Sequence, residues 1–239
     1  MHLVIDQGNT HVKLAIFEQD ELVDYQVQPK LNDQIIDEFV GKKVIRKGIF
    51  SSVKKEKEIQ LLKKYNLTPF SSVTPLPLTL NYETPKTLGL DRIAAVAGAQ
   101  QKYPNTDVLV IDMGTCITYD FIDHQGIYWG GSIAPGLQMR LKAMHHFTDQ
   151  LPLVSFDKTS LKLTGNSTEK SIQSGVYYGI QAEVNGFIQQ YLQEHNDLQI
   201  IITGGDAHLF DIAPKNRIFA DEFIVLRGLN EILKYNDQK

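Results

Sequence analysis

Two stretches of this chain repeat one another. Leu3-Val4-Ile5-Asp6-Gln7-Gly8-Asn9-Thr10 reads as a short buried strand entering a turn, after which Val12, Leu14 and Ile16 alternate with His11, Lys13 and Ala15. That period of two marks a half-buried strand. Glu18-Gln19-Asp20-Glu21 turns the chain again before Leu22-Val23 resumes. Val108-Leu109-Val110-Ile111-Asp112-Met113-Gly114-Thr115 opens the same series of events. Ile117, Tyr119 and Phe121 alternate, His124-Gln125-Gly126 turns, and Ile127-Tyr128-Trp129 resumes. Both copies carry Val-Ile-Asp-x-Gly at the first turn, and 112 − 6 = 106 residues separate the two aspartates. Solenoid repeats have periods of about 20–50 residues, so a period this long indicates a duplicated domain. The expected organisation is two related halves, 1–104 and 105–239.

A helical pattern lies between the copies, and a stronger one follows the second copy. Ile93 to Tyr103 is alanine-rich. Asn166 with Glu169 three residues on resembles a capping pair, and Ile172, Val176, Ile180, Val184, Phe187, Ile188 and Tyr191 then recur at spacings of three and four. Such a stripe is one face of a long helix. Leu198 to Thr203 reads as a buried strand broken by Gly204-Gly205. Strands and helices mixed in this order predict an α/β fold.

Composition narrows the class of protein. Hydrophobic residues make up 42% and charged residues 22%, the balance of an ordinary soluble globular protein. The formal charge of −4 supplies no global positive field, so neither nucleic acid nor an acidic membrane is an expected partner. Cys116 is the single cysteine, which suits a reducing compartment. No secretion signal is visible at the start, and no apolar run approaches the roughly 20 residues of a membrane helix. A cytoplasmic location is expected.

Two strand–turn elements bearing Asp-x-Gly suit a common ligand. Each turn offers backbone N–H groups to an anion, and its glycine lets the anion come close. Each adds a carboxylate, a hard oxygen donor suited to Mg²⁺. Either turn alone reads as an ordinary hairpin. Two matched copies, each followed by a hydroxyl (Thr10, and Thr115 with Thr118), point to phosphate binding. Facing one another, they would clamp a polyphosphate and its metal in a cleft between the halves.

Four further motifs bear on chemistry. Thr203-Gly204-Gly205-Asp206-Ala207 admits a flat ligand such as a nucleoside against its backbone, or is a plain strand-to-helix turn. No GxxxxGK[ST] phosphate loop exists in the chain, which excludes P-loop kinases. Asp91, in Gly89-Leu90-Asp91-Arg92 before the alanine-rich helix, reads either as a helix cap or as a base for an attacking hydroxyl. Arg92 could hold a carboxylate or phosphate by its planar fork. Gly130-Gly131-Ser132-Ile133-Ala134-Pro135-Gly136 reads as a long turn opening a helix at Leu137, with backbone near a ligand or a partner subunit. Adjacent His145 and His146 point about 100° apart on a helix and cannot share a metal. The lysines from Lys42 to Lys64, interleaved by Glu56 and Glu58, read as a solvated helix face, and Cys116 reads as packing.

Together, Asp6-Gln-Gly-Asn-Thr10, Gly89-Leu-Asp-Arg92, Asp112-Met-Gly-Thr115, Gly130-Gly-Ser-Ile-Ala-Pro-Gly136 and Thr203-Gly-Gly-Asp-Ala207 resemble the type III pantothenate kinases. That family lies in the acetate and sugar kinase/heat-shock 70/actin superfamily, with duplicated actin-like (ribonuclease H-like) α/β domains and an ATP cleft between them. The resemblance implies ATP-dependent phosphorylation of pantothenate on its terminal hydroxyl, the first step toward coenzyme A. It implies that Asp6, Gln7, Gly8, Asn9, Thr10, His11, Val12 and Lys13 contact the ATP phosphates, with Asp6 near Mg²⁺. Thr115 would touch ATP. Asp91 would be the general base, and Gly89, Leu90, Asp91 and Arg92 would line the pantothenate site with Tyr82 and Thr168. Asp112 would hold a monovalent cation, K⁺ or NH₄⁺. A homodimer is implied too. Gln7 departs from the small or apolar residue usual in the family. Two alternatives stay open at this stage: a nucleotide-binding accessory protein of transcription, and a kinase for another small hydroxylated acid or sugar.

Overall fold

The computed structural model describes residues 1–52, 59–213 and 217–238. The chain begins with β1 (His2–Gln7), β2 (Val12–Glu18), β3 (Glu21–Gln28), α1 (Asp33–Val40), β4 (Lys47–Ser52), α2 (Ile59–Lys64), β5 (Leu67–Pro69), β6 (Thr79–Leu80) and α3 (Leu90–Lys102). It continues with β7 (Val108–Met113), β8 (Cys116–Ile122), β9 (Ile127–Pro135), α4 (Leu137–His146) and α5 (Thr168–Glu194). The last elements are β10 (Gln199–Thr203), β11 (Ile218–Ala220) and α6 (Ile224–Asp237). Two compact units result: Met1–Asn105 with Gln125–Trp129 and Phe223–Lys239, and Thr106–His124 with Gly130–Glu222. The fold is mixed α/β with two sheets, as the repeat predicts.

The first unit holds a sheet ordered β3-β2-β1-β4-β5. β1 pairs antiparallel with β2 and parallel with β4. Leu3, Ile5, Leu14 and Ile16 are fully buried with Ile36 and Phe39 of α1 and Leu61 of α2. Asn32 starts α1, its Oδ1 accepting from the Ile35 amide at 2.8 Å. α3 is buried along almost its whole length, from Arg92 to Ala99, because its alanines let a second helix approach closely. That helix is α6. A Cβ on Gly98 would lie 2.3 Å from the Ile224 carbonyl oxygen, and one on Gly228 would lie 1.7 Å from that of Ala94. Sequence order alone would leave α6 with the second half; this glycine-mediated packing places it in the first unit. Asn230 on α6 ties it to the sheet, meeting His2 Nδ1 at 2.9 Å and donating to the Gln19 carbonyl at 2.7 Å.

The second unit repeats the plan. β7 lies between antiparallel β8 and parallel β10, in a sheet running β11-β10-β7-β8-β9. Leu109, Ile111 and Met113 pack with Leu137 and Leu141 of α4 and with Ile172, Val176, Ile180, Val184 and Ile188 of α5. The helical stripe is therefore correctly placed. Its cap is Ser167 rather than Asn166: the Ser167 hydroxyl accepts from the Lys170 amide at 3.3 Å. The Gly130–Pro135 stretch, expected as a turn, is the second half of strand β9. Its glycines serve close sheet contact, since a Cβ on Gly131 would fall 1.6 Å from the Tyr119 carbonyl oxygen. The basic stretch is no single helix face either. Lys42 and Lys43 follow α1, Lys47 is in β4, and Lys63 and Lys64 end α2, while Lys54, Lys55, Glu56, Lys57 and Glu58 lie outside the described residues.

Candidate functional site

The candidate residues form one cluster in each unit. In the first, β1 ends at Asp6 and Gln7, and the turn closes with the Gly8 amide donating to the His11 carbonyl at 3.0 Å. Strand register sets Asp6 beside Lys13 on β2 and beside Ser51 on β4. Burial pushes the Asp6 carboxyl from 3.8 up to about 6; the Asp91 carboxylate adds to the rise, while Lys13 and a hydrogen bond from Ser51 oppose it. Lys13, Ser51 and Asp91 thus all act on Asp6 within one unit.

The rest of the first turn divides by side-chain direction. Asn9, Thr10 and His11 are exposed, and Lys13 is half-buried. Val12 is 1% exposed and Gln7 6%. Gln7 turns inward, its Oε1 accepting from the Ser52 hydroxyl at 2.9 Å. Gln7 and Val12 can offer a ligand only backbone, which explains why an amide-bearing residue is tolerated at position 7.

Asp91 occupies the first turn of α3 and is exposed. Its Oδ1 accepts from the Arg92 amide at 2.9 Å, so it satisfies one of the helix's initial N–H groups. Gly89 precedes the helix without a side chain to cap it, and a Cβ there would sit 2.5 Å from Asp91 Oδ1. Glycine therefore leaves the carboxylate its place. Leu90 is half-buried, and the Arg92 side chain is buried. Tyr82 is half-buried, its ring centroid 6.0 Å from that of Tyr128.

In the second unit three motifs meet. Asp112 pairs with Thr118 on β8 and with Thr203 on β10. The turn closes with the Gly114 amide donating to the Cys116 carbonyl at 3.0 Å, leaving Thr115 exposed. Gly136 donates its amide to the Thr115 carbonyl at 3.1 Å, and a Cβ on it would come within 2.2 Å of the Gly114 carbonyl oxygen. Gly204 closes the other side. Its φ of +97° is open to glycine, and a Cβ would lie 2.4 Å from the Met113 carbonyl and 2.5 Å from Asp112 Oδ1. The Asp206 amide donates to the Met113 carbonyl at 2.9 Å. Gly205 has open space around it. Of the two adjacent glycines, one packs against the acidic turn and one leaves room for a ligand.

Thr168 begins α5 and is exposed. It lines a cavity of about 520 Å³ with Met144, Leu151, Gly165, Asn166 and Ile172 among others. His145 Nδ1 lies 2.8 Å from the Leu151 carbonyl. Among the described residues, no three metal-ligating side chains gather into a metal cage. The sequence motifs include Thr203 only as the start of a glycine turn and leave out Ser51, the hydroxyl beside Asp6. The polar ending of an otherwise apolar strand, Ile49-Phe50-Ser51-Ser52, was the available signal.

A family model described as type III pantothenate kinase matches residues 2–190. The chain is 44% identical over 243 residues to a type III pantothenate kinase from Phocaeicola vulgatus, covering 100% of both chains. It is 47% identical over 241 residues to one from Christiangramia forsetii, covering 99% of both. Among solved structures, a protein from Campylobacter jejuni assigned to the Baf family of transcriptional activators aligns with a TM-score of 0.61 at 24% identity, covering 99% of this chain and 100% of that one. A ROK family glucokinase from Streptomyces griseus aligns with a TM-score of 0.52 at 11% identity, covering 99% and 100%. These two likenesses show a shared fold.

Proposed function

We propose that this chain, which belongs to the type III pantothenate kinase family, moves the terminal phosphate of ATP onto the terminal hydroxyl of pantothenate, the first step toward coenzyme A. The observation that carries the chemistry is the register that sets Asp6 beside Lys13 and Ser51, with Asp91 close enough to act on the same carboxyl. Phosphoryl transfer asks little covalent work of a protein and much positioning and charge neutralisation.

The donor sets fit the cations proposed. Asp6, with Asp91 near enough to raise its pKa, is the sparse carboxylate set through which Mg²⁺ is held beside substrate phosphates. When bound, Mg²⁺ supplies positive charge to the phosphates. Asp112, with Thr118 and Thr203 beside it and the Met113 carbonyl close by, is an all-oxygen set suited to K⁺ or NH₄⁺.

The chain's own residues then divide the work. Lys13 and the Gly8–His11 backbone orient the ATP phosphates, and Thr115 meets ATP from the second turn. Asp91, exposed at the start of α3, accepts the proton of the pantothenate hydroxyl as it attacks. Gly89, Leu90, Arg92, Tyr82 and Thr168 hold pantothenate so that this hydroxyl meets the carboxylate. The working form is a cytoplasmic homodimer that uses no nucleic acid. No helix among the described residues is long and apolar enough to cross a membrane.

ADP release with pantothenate, Mg²⁺ and K⁺ present together tests the reading. Turnover that requires pantothenate, and is not matched by sugars or other hydroxy acids, supports it. ATP consumption independent of pantothenate would remove the substrate assignment. Sedimentation of the purified protein as a monomer would remove the dimer.

A further inference from the structure

We infer that Arg140 is a positioning residue for the Asp112–Thr115 turn, acting through Pro135 and Gly136 and held in place by Glu183 and Tyr119. The inference rests on the reading above, that Asp112 holds the monovalent cation and Thr115 meets ATP.

Arg140 lies on α4, about one helical turn past Gly136. Its guanidinium divides its donors. Nε donates to the Pro135 carbonyl at 2.7 Å, and a terminal nitrogen donates to Glu183 Oε2 at 2.8 Å. Glu183, on α5, is held from the other side as well, its Oε1 accepting from the Tyr119 hydroxyl at 3.1 Å. Tyr119 is itself fully buried on β8, with its ring stacked on Phe187 at 4.2 Å between centroids. Three elements therefore fix one guanidinium, and the guanidinium fixes one carbonyl.

That carbonyl belongs to the residue before Gly136, where the chain touches the acidic turn. The Gly136 amide bonds the Thr115 carbonyl at 3.1 Å, and no Cβ could fit against Gly114. A contact this close has no slack, so a shift at Pro135 must move Thr115 or break the bond. The Arg140 and Glu183 side chains are 20% and 27% exposed, shielded enough for a charge-assisted pair to outweigh a surface one. Lysine carries its three donors on one nitrogen, so it cannot reproduce the two separated donor positions with which Arg140 meets the carbonyl and the carboxylate.

The test compares Arg140→Leu, Arg140→Lys, Glu183→Gln and Asp112→Asn by half-activating K⁺, KM for ATP, KM for pantothenate, kcat and Tm. Loss of a hydrogen bond to a charged group predicts that Arg140→Leu raises half-activating K⁺ and KM for ATP about tenfold. Its kcat at saturating K⁺ and ATP should stay within about threefold of the parent, with KM for pantothenate unchanged. Arg140→Lys and Glu183→Gln should move the same two constants in the same direction by less. A fall in Tm with both constants unchanged would make the network merely structural and overturn the proposal. If Arg140→Leu does not fold, the other two network variants decide by the same criterion. Should Asp112→Asn leave K⁺ dependence intact, the parent reading fails. If Asp112→Asn abolishes that dependence while the Arg140 and Glu183 variants leave it alone, only the present inference fails.

Discussion

Asp6 and Asp112 end equivalent strands. Each has an antiparallel neighbour leaving the turn and a parallel neighbour on the other side, and each parallel neighbour brings a hydroxyl: Ser51 beside Asp6, Thr203 beside Asp112. The antiparallel neighbours differ. Lys13 stands beside Asp6 where Thr118 stands beside Asp112. The surroundings differ too. The turn glycines are alike, since a Cβ on Gly8 would meet only the His11 carbonyl at 3.4 Å and one on Gly114 nothing closer than Asp112 Oδ1 at 3.7 Å, but Gly136 and Gly204 press on the backbone of the second turn from neighbouring segments. On the proposed reading, the lysine-bearing turn would take the polyphosphate and the hydroxyl-lined turn the small monovalent ion, so the cross-strand residue is where the duplicated scaffold would set the charge of its ligand.

The largest expected effect tests whether the first turn also works with the base. Asp91→Asn should lower turnover by about 10²–10⁴-fold while ATP binding, followed by fluorescence titration, stays near the parent value. An unchanged turnover would leave Asp91 as a helix-capping residue only.

Asp6 comes next, because its raised pKa makes a stability claim with a definite sign. The folded state holds the Asp6 proton more tightly than the unfolded chain, so this contribution is complete below about 3.8 and fades as pH rises through about 6. At neutral pH the ionised carboxylate then costs the ATP-free protein about 3 kcal/mol. Asp6→Asn should therefore raise the Tm of the ATP-free protein at pH 7.5 by several degrees, the gap closing toward pH 4. Mg²⁺ capture runs the other way, since in the ATP-free enzyme the ionised carboxylate it needs is lost as pH falls below about 6. A Tm gap that persists at pH 4 would detach the effect from ionisation.

Exchanging the residue that distinguishes the turns sharpens the comparison. Thr118→Lys should set an ammonium group beside Asp112 and weaken K⁺ activation about tenfold, and Lys13→Met should raise KM for ATP by a similar factor without touching K⁺ dependence. Both constants moving together in either variant would erase the distinction. The smallest effect is on folding: Gly8→Ala should change stability by less than about 1 kcal/mol, because its Cβ finds only ordinary contact. Any accompanying rise in KM for ATP then reports phosphate approach to the turn.

Both turns were legible in the sequence because buried strands leave a period-two pattern and the acidic turn recurs intact. The α5 stripe was legible because its apolar face is continuous from Ile172 to Ile188. What was hidden depends on partners distant in sequence. Ser51 and Thr203 become neighbours of the aspartates only once parallel pairing sets the register. Gly131 and Gly136 look like turn residues, yet they are small because another backbone passes over them. Ser167 was overlooked as the cap because Asn166, with Glu169 after it, offers a competing local signal. The affiliation of α6 was unreadable for the same reason: Gly98 and Gly228 acquire meaning only when they face each other.

The placement of α6 sets an order of assembly. As the chain is synthesised, residues 1–105 emerge first but lack the helix that packs on α3 and ties to β1, and every residue of the second unit is made before that helix appears. The lysine-bearing turn therefore sits in the unit that is completed after the other. A nascent chain should acquire protease resistance over 106–222 before 1–105, and ribosome-bound intermediates should lack ATP affinity until residue 237 has cleared the exit tunnel.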